Sequence, residues 1–249
     1  MSTELLTWAV TGTAALGAGV LNAMAGGGSF LTFPALVFAG VPVLQANATS
    51  SIAVSPGYLG SVLGFKDEIR SLPPREVWTG VVISGLGGLA GAALLMLTPA
   101  KLFSGLVPWL LLVATVLFWL GPHIARFSRN SQAQRARVPG LLLVSIYGGY
   151  FNGGLGILLM ALYTLTGLHH LHTVNALKNL NSFVLSLLSV AAFAWAGAIV
   201  WPQALWMMAL ASVGGWLGAR WAKRLPMAYV RALVLLTGVV MTVVFFARA

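Results

Sequence analysis

The chain has 249 residues, of which 59% are hydrophobic and only 7% charged, with a formal net charge of +10. Ordinary soluble domains carry roughly 25% charged residues, so a soluble fold of this length could not cover its surface. The absence of cysteine removes disulfides, thiolate metal sites and thiol catalysis.

The first predicted element is a hydrophobic helix over about Leu5 to Met24. Ala23-Met24-Ala25 resembles a signal-peptide cleavage site, but the preceding Met-Ser-Thr-Glu supplies no basic n-region, so the segment is read as a retained span. In "NAMAGGGSFLTFPAL" it runs into Gly26, Gly27 and Gly28, and a shorter apolar piece follows over about Ser29 to Ala39. A longer helix is expected over about Ala48 to Phe65. It opens on Asn47-Ala48-Thr49-Ser50-Ser51, in which Asn, Thr and Ser are good cap residues. Val77 to Leu97 and Leu102 to Gly121 are uncharged except at their edges, and each can cross a hydrocarbon core about 30 Å thick. An outer-membrane barrel is excluded, because its strands alternate polar and apolar residues over about ten positions.

The stretch "HIARFSRNSQAQRARVPG", His123 to Gly140, holds four arginines and no acid. By the positive-inside rule this linker is cytoplasmic. Gathering basic residues in short loops also explains the net charge without nucleic acid, since no basic face with interleaved aromatics lies outside the spans. Beyond the linker the series recurs: a helix over about Gly140 to Asn152, then Gly154 and Gly156, then a short piece over about Ile157 to Thr166. A longer helix over about Asn175 to Ala196 and spans over about 203–222 and 228–247 follow. Trp78, Trp119, Trp201 and Tyr229, at segment ends, read as interface anchors.

The two halves repeat in sequence. "GGLAGAALLMLTP" from Gly87 has the same internal spacing as "GGWLGARWAKRLP" from Gly214. "NAMAGGGSFLTF" echoes "YFNGGLGILLMA", aligning Gly26 and Gly28 with Gly154 and Gly156. "QANATSS" aligns with "TVNALKN", pairing Asn47-Ala48 with Asn175-Ala176. The basic loop "ARWAKRLP", with Arg220, Lys223 and Arg224, should be cytoplasmic, whereas its counterpart "LTPAKLF" is almost uncharged. Equivalent loops on opposite sides imply an inverted repeat with an odd number of crossings per half. The expected fold is therefore all-α and polytopic: two inverted repeats of about four to five helical segments, with broken or short helices near the midplane. Residues 1–122 and 140–249 form the repeats, and 123–139 the linker.

Broken backbone at membrane depth survives only where protein buries it or it lines a wet cavity. Glycine breaks at corresponding places in both halves therefore point to a central site. Helices opening after them offer free N–H groups and a positive dipole end, which suit an anion. Gly87, Gly88, Gly91, Gly214, Gly215 and Gly218 are read instead as small residues for close helix packing. The four acids, Glu4, Asp67, Glu68 and Glu76, all fall in loops or at helix ends. A pump relying on a buried carboxylate, and metal-assisted hydrolysis, are thereby disfavoured. Lys178, in "HTVNALKNLNSF", is the one basic residue that reads as buried, and an intramembrane lysine is by default a functional-site candidate. Asn175, Asn179 and Asn181 surround it. The alternative is that Lys178 snorkels to the interface; Arg231, near a basic loop, is read that way. His169, His170 and His172 resemble a metal tract but lack a nearby carboxylate or thiol, and are placed in a wet connection.

These stretches resemble a known family. "NAMAGGGSFLTFPALVFAGVPVLQANATSS" is similar to the first-repeat signature of the TauE/SafE sulfite exporter family, and "YGGYFNGGLGILLMALYTLTGLHHLHTVNALKNL" to the second. The resemblance spans essentially the whole chain. It implies a bacterial inner-membrane permease for small sulfur-containing anions such as sulfite or organosulfonates, acting as an exporter. Its motif positions fall on Gly26, Gly27, Gly28, Pro34, Asn47, Ala48, Thr49 and Ser50. In the second half they fall on Gly154, Gly156, Asn175, Lys178 and Asn179, with Leu155 interrupting the usual glycine block. The expected activity is alternating-access transport with no cofactor or metal and no enzymatic chemistry. Its expected partners are the anion, the bilayer and, where transport is coupled, protons carried by the substrate, Lys178 or a histidine; oligomeric state is left open. A passive anion channel using the same site, or a ligand-free membrane scaffold, are the competing readings.

Overall fold

The computed structural model describes residues 3–24, 26–127, 135–168, 170–221 and 227–248. Among these every regular element is helical: α1 (Thr3–Met24), α2 (Ser29–Phe38), α3 (Val43–Gly64), α4 (Lys66–Ser71), α5 (Pro74–Leu97), α6 (Ala100–Phe127), α7 (Arg137–Tyr150), α8 (Leu155–Leu165), α9 (Leu171–Trp195), α10 (Trp201–Trp221) and α11 (Met227–Arg248). The chain is an all-α polytopic membrane protein. Among the described residues four stretches are long and apolar enough to cross a bilayer: Glu4–Asn22, Pro74–Leu97, Ala100–Leu120 and His172–Trp195. The expected spans near 203–222 and 228–247 form helices α10 and α11. Gln203 and a run of small residues dilute the apolar character of α10, and among the described residues of α11 Leu235–Ala247 is a continuous apolar stretch.

Several boundaries differ from the sequence reading. The longer helices begin a turn or more before their asparagines, at Val43 and Leu171, behind extended backbone at Pro42 and His170. Asn47 and Asn175 are therefore interior residues and cap nothing. Proline at the N-cap sets the entry angle in α3, and the apolar Val43 and Leu44 continue the helix without a side-chain cap. The helix over Gly140 to Asn152 in fact starts at Arg137, inside the linker, and α8 starts at Leu155 rather than Ile157. α6 likewise runs through His123 to Phe127. The six-residue α4 was not expected; Asp67 and Glu68 in its first turn and Arg70 in its last suit the helix dipole.

The short helices pair back on their predecessors as antiparallel hairpins. In the first, Gly28 faces Ala18 and Asn22 while Gly17 faces Leu31; in the second, Gly148 faces Leu155 and Gly140 faces Leu162. Arg137, opening α7, donates to the carbonyl oxygen of Thr166, just past α8, at 2.9 Å, so this hairpin returns to the side it came from.

Each hairpin is clamped by a helix of the other half. α7 lies along α5, where a Cβ on Gly91 would strike the Ile146 carbonyl and one on Gly87 the Ser145 side chain. α1 lies along α10, where a Cβ on Gly214 would strike the Leu16 carbonyl. These glycines work by letting backbones touch, as their sequence pattern suggested. Gly215 has only the Gly19 carbonyl, at 3.8 Å.

Pro56 sits inside α3 and cannot donate to the Ile52 carbonyl. The Ser55 hydroxyl supplies that bond at 2.8 Å, so the helix continues. The core runs through both hairpins, with Phe33 edge-on to Phe151 and stacked on Phe245, each at 5.5 Å between centroids. A second cluster gathers Leu155, Leu159, Tyr163, Leu177 and Leu185. Trp78, Trp119 and Trp201 are exposed, as anchors at a lipid interface require; the Tyr229 side chain lies outside the described residues.

Candidate functional site

Both helix breaks place a glycine at positive φ, +79° at Gly26 and +76° at Gly154. L-residues reach that region at a cost of roughly 1–2 kcal/mol, which is why glycine stands at each. In the first break the Gly26 amide donates to the Leu21 carbonyl at 3.1 Å, and the Gly28 amide to the Asn22 side-chain oxygen at 2.9 Å. The Gly27 and Gly28 carbonyls accept from Phe30 and Leu31.

The second break is held mainly by side chains. Asn47, on α3, donates its amide to the Tyr150 carbonyl at 3.0 Å, and its carbonyl oxygen accepts from the Asn152 amide at 3.4 Å. One carboxamide thus serves both polar groups flanking the interruption, matching a donor and an acceptor. The Ser29 hydroxyl donates to the Asn152 carbonyl at 2.9 Å, and the Tyr147 hydroxyl to the Gly153 carbonyl at 2.8 Å. Ser29 opens α2 and Asn47 lies on α3, so the first half braces the break of the second.

The breaks also touch one another. A Cβ built on Gly156 would stand 2.8 Å from the Gly26 carbonyl oxygen, and one on Gly26 would stand 3.5 Å from the Lys178 ammonium. Gly26, Gly156 and Lys178 are therefore brought together. Lys178 lies about two turns into α9 and is only 2% exposed, which overrides the snorkelling alternative. The ion pair recorded among the described residues joins Arg137 to Glu76, not Lys178 to any carboxylate. A buried cation without a counter-charge carries a large desolvation penalty; an anion seated beside it would offset that penalty.

The remaining expected site residues separate into two groups. Gly27, Gly28, Gly154 and Asn179 are buried around these segments, and Asn175 is half-buried. Ser50 exchanges a hydrogen bond with Thr32 at 2.6 Å, tying α3 to α2. Thr49 accepts from the Val200 amide at 3.0 Å, in the turn before α10. Those two hydroxyls are thus engaged in holding helices together. Of the histidines, His170 precedes α9 and His172 stands 6.3 Å from the Phe65 ring; His169 lies outside the described residues, as do Lys223 and Arg224 and the side chains of Arg220 and Arg231.

Three residues escaped the sequence reading. Asn152 is 2% exposed and neither end of its carboxamide has a partner among the described residues. It lies in the second break, four residues before Gly156. The hint was the asparagine immediately before the second glycine pair. Arg137 read as a solvated linker charge but bonds Glu76 and Thr166. Tyr163 receives the Asn181 amide on a buried hydroxyl. An arrangement with a buried ammonium, a free carboxamide and the positive ends of two helix dipoles, and with no carboxylate or thiol among them, can replace the hydration shell of an anion.

Comparisons with known proteins point to a family of membrane transporters. The family described as "Sulfite exporter TauE/SafE" matches residues 12–245. A protein of Haemophilus influenzae described as "Probable membrane transporter protein" is 29% identical over 235 residues, covering 90% of this chain and 89% of its own. A "Probable membrane transporter protein ORF9" of a Sinorhizobium species is 28% identical, covering 86% of this chain and 81% of its own. A "Probable membrane transporter protein YfcA" of Escherichia coli is 26% identical, covering 90% and 84% respectively. No solved structure matches the chain.

Proposed function

The chain belongs to the TauE/SafE sulfite exporter family, and on that premise we propose that it exports small sulfur-containing oxyanions, such as sulfite or organosulfonates, by alternating access across a bacterial inner membrane. The observation that carries this reading is Lys178, buried without a carboxylate partner among the described residues and beside the contact of Gly26 with Gly156. A tetrahedral or pyramidal oxyanion would take its charge compensation from the ammonium. Hydrogen bonds would come from the Asn152 carboxamide, and the dipoles of α2 and α8 at their mouths would favour the negative charge. Asn47 then acts as a positioning residue that shapes the second break.

Alternating access is proposed as a rocking of one clamped hairpin against the other, with the two halves inverted. Helix directions support this. α5 runs with α7 and with α9, as Gly80 opposite Asn181 and Gly88 opposite Leu185 require. α10 follows α9 through the turn at Gly197 and runs with α1. The hairpins α1–α2 and α7–α8 would thus approach the centre from opposite faces, and a motion that opens one would close the other. The basic linker supports a cytoplasmic position for the mouth of α7.

The test is counterflow in proteoliposomes of the full-length protein. Saturable sulfite flux that drives labelled sulfite uphill when unlabelled sulfite is trapped inside supports the carrier. Flux that rises without saturation and drives no counterflow identifies a passive anion channel instead.

A further inference from the structure

Resting on the transport reading, we propose that a cavity on the linker side, separate from the Lys178 contact, is a second anion site through which the solute reaches the centre. The cavity lies between the first turns of α5 and α7, the end of α8 and the middle of α9, and encloses about 530 Å³. That volume accepts a sulfonate or similar singly charged oxyanion carrying a small apolar body.

Its lining is graded from wet to dry. Arg75 is exposed, and Glu76 and Arg137 keep side-chain exposures of 30% and 19%, so these three form the mouth. Gly80, Tyr163 and Asn181 are buried and form the floor. Two arginines against one glutamate leave a net positive charge, while Leu141 and Leu177 supply apolar wall. Arg137 is engaged on three sides: with Glu76, with the Thr166 carbonyl at 2.9 Å and with the Thr166 hydroxyl at 3.2 Å. Arg75 has no ion pair among the described residues.

A second observation, at the floor, points to a ligand. Asn181 is 1% exposed, gives one end of its carboxamide to the Tyr163 hydroxyl, and leaves the other end without a partner. The carboxamide lies against Gly80, where an added Cβ would sit 3.1 Å from one end and 3.2 Å from the other, so the lack of a side chain on α5 makes its room. The two ends of a carboxamide are told apart only by their partners. As placed, the Asn181 amide donates to the Tyr163 hydroxyl and its oxygen is the free end. In the reversed orientation, which the same partners allow, the Tyr163 hydroxyl donates to the amide oxygen and the NH₂ group is the donor offered to an oxyanion. Leu177 and Asn181 flank Lys178 along α9. Tyr163 and Gly156 share a face of α8 at seven-residue spacing, so floor and ammonium lie along one helix face.

An anion received by Arg75 and Asn181 competes with Glu76 for Arg137. When Arg137 turns to the anion, the tie between α7, α5 and the end of α8 loosens, and the second hairpin is released to move. Occupancy of the cavity thereby favours opening toward the centre.

The experiment is calorimetric titration of benzenesulfonate into purified full-length protein carrying Lys178→Ala, which removes the central charge. Binding should persist on that background and weaken at least about tenfold on adding Asn181→Leu. It should tighten about tenfold on adding Glu76→Gln, which frees Arg137; tenfold corresponds to one charge-assisted contact. Should Asn181→Leu melt early, Glu76→Gln alone decides. Loss of all binding in Lys178→Ala, or identical affinities across the set, overturns the proposal. Competition by phosphatidylglycerol in nanodiscs would make the cavity a lipid headgroup site and overturn it too. Wild-type protein that binds benzenesulfonate through Asn181 but supports no counterflow keeps this site and removes the transport reading, so the two failures are distinct.

Discussion

Gly26 and Gly156 meet backbone to backbone, near enough that a Cβ on Gly156 would stand 3.1 Å from the Gly26 Cα. Each belongs to a glycine cluster that ends one helix and begins a short one. Their contact therefore joins the two interruptions of the chain at a single point, and Lys178 is beside it.

Gly156→Ala should force these backbones apart. Overpacking of this kind costs about 1–3 kcal/mol, so the variant should melt several degrees below wild type in the same detergent. Gly60→Ala is the control, because nothing lies within 4 Å of a Cβ there and alanine favours the helix. Equal melting of the two variants would show that the contact is not as tight as described.

Asn47→Ala should leave the Tyr150 carbonyl and the Asn152 amide without partners in a buried place. Each stranded group costs about 1–3 kcal/mol. Asn47→Asp keeps an acceptor for Asn152 but loses the donor to Tyr150 and adds a buried charge, so it should be the worse of the two. Thermal melts of both variants rank them, and the reverse order would contradict the assigned amide orientation.

Much of this was visible in the residues themselves. Three consecutive glycines before an apolar stretch of ten residues can hardly be one continuous span, and the structure breaks the helix there. Gly87, Gly88, Gly91 and Gly214 announced close packing by their spacing. Asn47 and Asn175 were placed at helix starts because asparagine favours caps, yet Pro42 and His170 precede the helices and tertiary burial draws the asparagines inside. The Arg137–Glu76 pair was hidden, since it joins residues 61 positions apart, and composition alone assigned that arginine to membrane orientation. Asn152 was quoted within a motif but not singled out, because lack of a partner is a property of the fold and not of the sequence.

The hydroxyls of Thr32 and Ser50 offer a direct check on which expected site residues serve the solute. Their bond at 2.6 Å should give a coupling of about 0.5–1.5 kcal/mol in a double-mutant cycle of Thr32→Val and Ser50→Ala. A zero coupling accompanied by a many-fold rise in KM for Ser50→Ala would assign that hydroxyl to the anion instead.

The most direct measurement is sulfite flux and sulfite-induced thermal stabilisation of Lys178→Ala beside wild type, in matched proteoliposomes and detergent. The account predicts that flux and stabilisation both vanish while the unliganded protein melts at or above the wild-type temperature, because an unpaired buried charge has been removed. Unchanged flux at equal insertion would contradict it.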